Sequence, residues 1–288
     1  MRINVTSEDV QKRFASLIDA RKPELAGWLL ELRETTLENV LTMDEVRKIV
    51  ESGEIEPQWL AYWRNQYSEF VEHKVKPVWE RAIASGHALT GERLSAVFGG
   101  RGVLDYESAL LGYMATRGGE LAVQLSESQH IAMRTILTNA LREGQTVDEI
   151  KQRLALCVGL VERDACAIIK YRERLRGVLN ERELNRRVQK YYARHLRYRS
   201  ERIIRTEVAK AYNYAQDAVV KDWLSQNPGV QMIKRWRLGG SAPCAICLSL
   251  DGLEVGINGK YEITGGEAEY PPAHPHCYCY VAYEAEVS

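Results

Sequence analysis

Pro243-Cys244-Ala245-Ile246-Cys247 and, after a loop, Pro271-Pro272-Ala273-His274-Pro275-His276-Cys277-Tyr278-Cys279 hold four of the six cysteines of this 288-residue chain. Two thiols separated by two residues can bite one ion from a tight turn, and a later His/Cys cluster can complete a tetrahedral shell. Cys244 and Cys247 form the first candidate arm. His274 and Cys277 are the preferred second arm, with Cys279 competing for the fourth position. If residues 277–279 are extended, Cys277 and Cys279 point to opposite faces and only one meets the metal. His276, between Pro275 and Cys277, is a weaker candidate. Four filled positions make a closed shell, so the cluster reads as one structural Zn2+ per chain whose binding is coupled to folding. A set of structural thiols without metal is the bland alternative.

The surroundings of the cluster are β in pattern. Pro228-Gly229 ends a helical region, and Val230, Met232, Lys234, Trp236 and Leu238 alternate with Gln231, Ile233, Arg235 and Arg237, the period of a strand. Asp251-Gly252 and Asn258-Gly259 are tight-turn dipeptides flanking further short apolar runs, and residues 278–283 read as a closing strand.

Before the cluster the chain reads as helix. Thr42-Met43-Asp44-Glu45, Thr146-Val147-Asp148-Glu149 and Asn180-Glu181-Arg182-Glu183 each place a capping side chain three residues before an acid. Trp59, Tyr62, Trp63, Tyr67, Phe70, Val71, Val75 and Trp79 form an aromatic stripe at helical spacing, expected to be core. Gly86 to Gly102 is expected to be a loop, since Gly99-Gly100-Arg101-Gly102 matches neither a P-loop nor a dinucleotide fingerprint. Gly118-Gly119 is expected to mark a hinge or turn between Tyr106–Met114 and Leu121–Leu125. Whether Ser200 separates two helices is open.

Formal net charge is zero, yet the charges are segregated. Residues 170–210 carry 14 basic residues against five acids. Residues 238–288 carry seven acids against Lys260 alone. Arg186, Arg187, Lys190, Arg194, Arg197, Arg199 and Arg202 therefore form a candidate surface for nucleic acid or an acidic partner, with a solvated helix face as the bland alternative. No run approaches the roughly 20 apolar residues of a membrane span, and the first residues lack a signal-peptide core, which points to a cytoplasm and to no membrane partner. There, clustered thiols are metal-directed, and Cys157 and Cys166 in an apolar helical pattern read as small buried hydrophobes.

Pro-Cys-x-x-Cys also occurs in zinc deaminases, which need an upstream His-x-Glu or Cys-x-Glu for a third ligand and a proton carrier. No His or Cys upstream of Cys244 is followed two residues later by Glu. The chain is accordingly read as a non-enzyme.

The run Tyr198-Arg199-Ser200-Glu201-Arg202-Ile203-Ile204-Arg205-Thr206-Glu207, then Ala211-Tyr212-Asn213, Trp236, Cys244-x-x-Cys247, Leu250-Asp251-Gly252 and the Pro271–Cys279 cluster resembles the Mu F-like head-morphogenesis (minor capsid) family of tailed phages. The resemblance covers about residues 125–282. One departure is Tyr278, where the family usually carries Arg. The resemblance implies a virion protein of few copies, placed inside the head near the portal vertex after assembly in the host cytoplasm. Its implied partners are the portal protein and capsid or scaffold proteins, with packaged double-stranded DNA as a further contact. Arg205, Thr206 and Glu207 match the family's Arg-Thr-Glu and are read as a structural motif.

The expected fold is α+β: a predominantly helical body with a small C-terminal zinc-stabilised β module. The expected regions are an N-terminal helical part (1–120), a basic helical head-morphogenesis core (121–228) and a zinc-knuckle module (229–288). A general DNA-binding protein using the arginine helix is the rival reading, and a zinc-dependent hydrolase or nuclease a distant third.

Overall fold

Helices form where caps and apolar periodicity agree. Thr42 accepts the Glu45 N–H at the start of one helix, and Gly53, at φ 73°, closes it in the left-handed conformation that glycine adopts without steric cost. Thr146 and Glu149 cap reciprocally, each side chain accepting the other residue's backbone N–H.

The structure is a computed structural model describing residues 2–6, 9–19, 22–39, 42–99, 105–239 and 243–286. It is α+β, mostly helical with a small sheet. The first half contains β1 (Arg2–Asn4), α1 (Val10–Asp19), α2 (Lys22–Asn39), α3 (Met43–Ser52), α4 (Pro57–Phe70), α5 (Lys76–Phe98) and α6 (Tyr106–Arg142), with a π-helical turn, Val71–Val75, between α4 and α5. The second half continues with α7 (Val147–Ala155), α8 (Glu162–Leu175), α9 (Glu181–Gln226), β2 (Gln231–Arg237), α10 (Ala245–Leu250), β3 (Glu254–Gly256), β4 (Tyr261–Ile263), β5 (Gly266–Ala268) and β6 (Tyr280–Glu286). No described helix is long and apolar enough to cross a membrane.

Two glycine-based expectations are corrected, and the question left open at Ser200 is answered. The segment from Gly86 is helix as far as Phe98, because Gly86 is a close-approach position: a Cβ there would lie 2.7 Å from the Tyr212 carbonyl oxygen. Gly100, Arg101 and Gly102 lie outside the described residues. Gly118-Gly119 makes no turn, since α6 continues through it. Two interior glycines cost about 1 kcal/mol each, and burial of Leu121, Ala122 and Leu125 on the next turns outweighs that. Ser200 does not separate two helices. Its hydroxyl is buried and donates to the Leu196 carbonyl at 2.9 Å, so α9 continues as one helix of 46 residues, about 69 Å long.

The chain divides into two compact units, one of Met1–Arg21, Val75–Arg117 and Glu201–Ser288, the other of Lys22–Lys74 and Gly118–Ser200. In the second unit the aromatic stripe is core: Trp59, Trp63, Tyr67 and Phe70 are buried, and Trp28 stacks on Phe70 with centroids 4.1 Å apart. The Gln129 amide holds the α7–α8 turn, accepting the Gly159 N–H at 2.7 Å and donating to the Cys157 carbonyl at 3.1 Å.

The first unit carries the four-stranded sheet, ordered β1-β6-β2-β3 and antiparallel throughout. Met232, Lys234 and Trp236 form the buried face of β2. Burial of Lys234 is compensated: its ammonium donates to the Glu269 carbonyl at 3.0 Å and lies 3.8 Å from Asp217, which also accepts the Tyr283 hydroxyl at 3.0 Å. Val219, Val220 and Trp223 of α9 pack with Val281, Tyr283 and Ala285 of β6, burying that face of the sheet.

Candidate metal centre and basic helix face

The first arm is made by a six-residue helix. Cys244 is the N-cap of α10, and its sulfur accepts the Cys247 N–H at 3.5 Å, so one helical turn brings the two thiols to the same side. The second arm returns to them from the loop before β6. His274 Nε2 lies 3.0 Å from Cys244 Sγ and 3.1 Å from Cys247 Sγ, and Cys277 Sγ lies 3.6 Å from Cys247 Sγ. Cys247, Cys277 and Cys279 form a second triad whose sulfurs all lie within 4.8 Å of one another.

The opposite-faces expectation for Cys277 and Cys279 is therefore corrected. The segment is not extended there: His276 adopts φ 69°, Cys277 N–H donates to the His274 carbonyl at 3.3 Å, and the strand begins only at Tyr280. The turn swings both sulfurs toward Cys247. The donor set suits a metal ion. Sulfurs sharing a tetrahedral ion at about 2.3 Å sit about 3.8 Å apart, close to the observed Cys247–Cys277 separation. His274 Nδ1 lies 2.9 Å from the Pro275 carbonyl, which can only accept, so Nδ1 carries the proton and Nε2 offers its lone pair to the sulfur cluster. A pocket of about 240 Å³, lined by these five donors with Gly239, Pro243 and Tyr278, opens over them.

Electrostatics separates the thiols. Burial pushes Cys247 up to about 12. A hydrogen bond to Cys279, reinforced by burial, raises Cys277 as well. Cys279 moves the other way, to about 6, because Cys277 hydrogen-bonds to it and the Trp236 indole and Gly239 amide face the same sulfur. Of Cys247, Cys277 and Cys279, the last tolerates negative charge best.

The loop carrying the second arm sits on α9. Thr206 Oγ1 accepts the His276 N–H at 3.1 Å and donates to the Arg202 carbonyl at 2.7 Å. The Arg205 guanidinium lies 3.7 Å over the Tyr278 ring and pairs with Glu201 at 3.4 Å. Glu207 is buried and faces the other way, accepting from Trp79 Nε1 at 3.2 Å and from Arg117 through Nε at 3.0 Å and Nη2 at 2.6 Å. Arg205 and Thr206 thus hold the same loop, and Glu207 ties α9 to Trp79 and Arg117. Arg117 and Trp79, partners far away in sequence, carry no signal that single-sequence reading detects.

The basic residues of α9 do not share one fate. Arg186 and Arg187 both bind Glu183, at 2.7 Å each, and draw its carboxyl down to about 2. Lys190 and Arg194 are exposed with no acidic partner among the described residues. Arg197 is exposed and turns back toward the Ala193 carbonyl. Arg202 is half-buried. Arg199 is corrected as a surface residue: it is buried, with Nη2 3.4 Å from Ser128 Oγ, because its position on the helix coincides with the apolar face of Val188, Tyr192 and Leu196. Arg182, absent from the sequence-based set, is exposed and extends the row, so that Arg182, Arg186, Lys190 and Arg194 follow at four-residue steps along one face.

A family model described as Phage Mu protein F like protein matches residues 130–282, more than half of the chain. No curated protein and no solved structure matches the chain.

Proposed function

Because the chain belongs to the Phage Mu protein F like family, we propose that it is a head-morphogenesis (minor capsid) protein acting near the portal during procapsid assembly, with no catalysis of its own. The observation that carries this reading is the span of the match, which takes in the basic face of α9, the Arg205-Thr206-Glu207 triplet and both arms of the donor cluster. Cys244, Cys247, His274 and Cys277 or Cys279 would hold one structural zinc, which supplies a cross-link between α10 and the loop before β6. With five donors converging on one place, the shell fills from the chain itself. That supports a staple rather than a reaction centre.

The exposed row Arg182, Arg186, Lys190 and Arg194 is the surface proposed to meet packaged DNA or an acidic face of the portal. The proposed location is the virion, inside the head. Production of the chain together with the portal, scaffold and capsid proteins of its own genome tests the assignment. Entry into particles, with copurification of the portal, is the expected result. Particles that assemble fully while excluding the chain would overturn it. The same row supports a second reading, a general DNA-binding protein, whose signature is salt-sensitive DNA affinity without any portal partner.

A further inference from the structure

The two arms of the donor cluster are held differently. The first is a local turn closed by its own helix, α10. The second depends on His276, which lies between the donors His274 and Cys277 and adopts φ 69°, a left-handed conformation that L residues with a side chain rarely take. An extended residue 276 would send His274 and the two cysteines apart, so this conformation is what lets the arm converge. It is fixed from outside the arm. The His276 N–H donates to Thr206 Oγ1, whose own proton goes to the Arg202 carbonyl, so both hydrogen-bonding roles of the hydroxyl are in use. Two residues further along the loop, the Arg205 guanidinium lies 3.7 Å over the Tyr278 ring.

We propose that Thr206 and Arg205 are positioning residues of the metal centre: α9, which contributes no ligand, holds the His274–Cys279 arm in its ligating shape, so the affinity for metal is set partly by this helix. The inference rests on the metal-binding reading above. Its physical content is preorganisation. An arm already turned loses less freedom when it ligates, and contacts of this outer kind are typically worth 10- to 100-fold in metal affinity. It also gives the adjacent Arg and Thr of the triplet a joint purpose, since each grips one side of the same tripeptide, His276-Cys277-Tyr278.

The test measures Zn2+ affinity of the full chain by competition with a chromophoric chelator, and the visible spectrum of the Co2+-loaded chain. T206V keeps the side-chain shape and removes the hydroxyl; T206S restores it; R205Q removes the cation over Tyr278. The expected result is at least a tenfold loss of affinity and an altered Co2+ spectrum in T206V, recovery in T206S, and a smaller loss in R205Q. Helix content and melting of the metal-free chain should stay as in the parent. Parent-like affinity and spectrum in T206V would overturn the proposal while leaving the metal centre standing. If T206V does not fold, R205Q decides, and parent-like affinity there overturns it. A parent chain that binds neither ion overturns the metal reading itself, and this proposal with it.

Discussion

Arg117 and Glu207 meet at two points in the interior, with the Arg117 Nε and Nη2 at 3.0 and 2.6 Å from the two carboxylate oxygens and both side chains nearly inaccessible. A bidentate pair of this geometry compensates most of the desolvation of two charges, and the Trp79 indole uses part of the remaining acceptor capacity. The pair joins α6 to α9 within one unit, so the cost of breaking it is a cost to that unit's fold.

Glu207→Ala should therefore destabilise the protein by about 3–5 kcal/mol, because it leaves a buried guanidinium without its counter-charge. Thermal or urea unfolding measures this. A change below about 1 kcal/mol would mean that the pair is solvated.

Gly86→Ala tests the close approach of α5 and α9. Its Cβ would meet a backbone oxygen at 2.7 Å and the Ala215 Cβ at 3.2 Å, so the helices must separate. A loss of about 1–3 kcal/mol is expected from overpacking, again read by unfolding. Unchanged stability would show that the two helices can shift without cost.

The chain should bind one zinc, and chelation should unfold the C-terminal sheet. Cys247→Ser should abolish binding, since Cys247 belongs to both triads, whereas Cys244→Ser removes a donor from one. Native mass spectrometry for stoichiometry and circular dichroism with and without chelator read both effects. A purified chain that is zinc-free and indifferent to chelator ends this expectation.

Replacing Arg182, Lys190 and Arg194 together by Gln should flatten the salt dependence of DNA binding. Each lost phosphate contact lowers the slope of log affinity against log salt by about 0.9. An unchanged slope would move any DNA contact off this face.

Glu149 supplies a pH dependence. A hydrogen bond from Arg176, and then those from Thr146, hold its carboxyl at about 2 in place of the usual 4.5. A depressed carboxyl contributes stability that is complete above the unfolded value and drains away as pH falls toward the folded one. The start of α7 should therefore weaken between about pH 4.5 and 2. A carboxyl NMR titration of Glu149 should show a midpoint near 2 that rises in Arg176→Ala. A midpoint at the ordinary value would mean that the capping box is open in solution.

Local rules carried much of the fold. Caps at Thr42, Thr146 and Asn180 and the periodicity of Trp59 to Phe70 are properties of neighbours in sequence, and they are where the helices and the core are found. The donor cluster was equally legible, as thiols and imidazoles at those spacings have few other uses. What escaped depends on distant partners. Gly86 and Gly118-Gly119 look like breaks until the opposing helix and the buried turns beyond them are known. The acidic tail looked unopposed because its counter-charges lie elsewhere in the chain: Glu254 binds Arg2 and Arg235, and Glu269 faces Lys221. The strand β1 is too short to register any pattern and exists because β6 is there to receive it.

That last pairing sets a timetable. β6 lies between β1 and β2, and its residues are among the last of this sequence to be made, while those of β1 are among the first. On the ribosome, every residue of Lys22–Lys74 and Gly118–Ser200 is synthesised before β2, so that unit can complete itself while β1 still waits, without a neighbour, for residues 280–286. A chain halted before residue 280 would hold β1 and β2 without the strand that lies between them, and an unfilled edge of that kind invites pairing with another nascent copy.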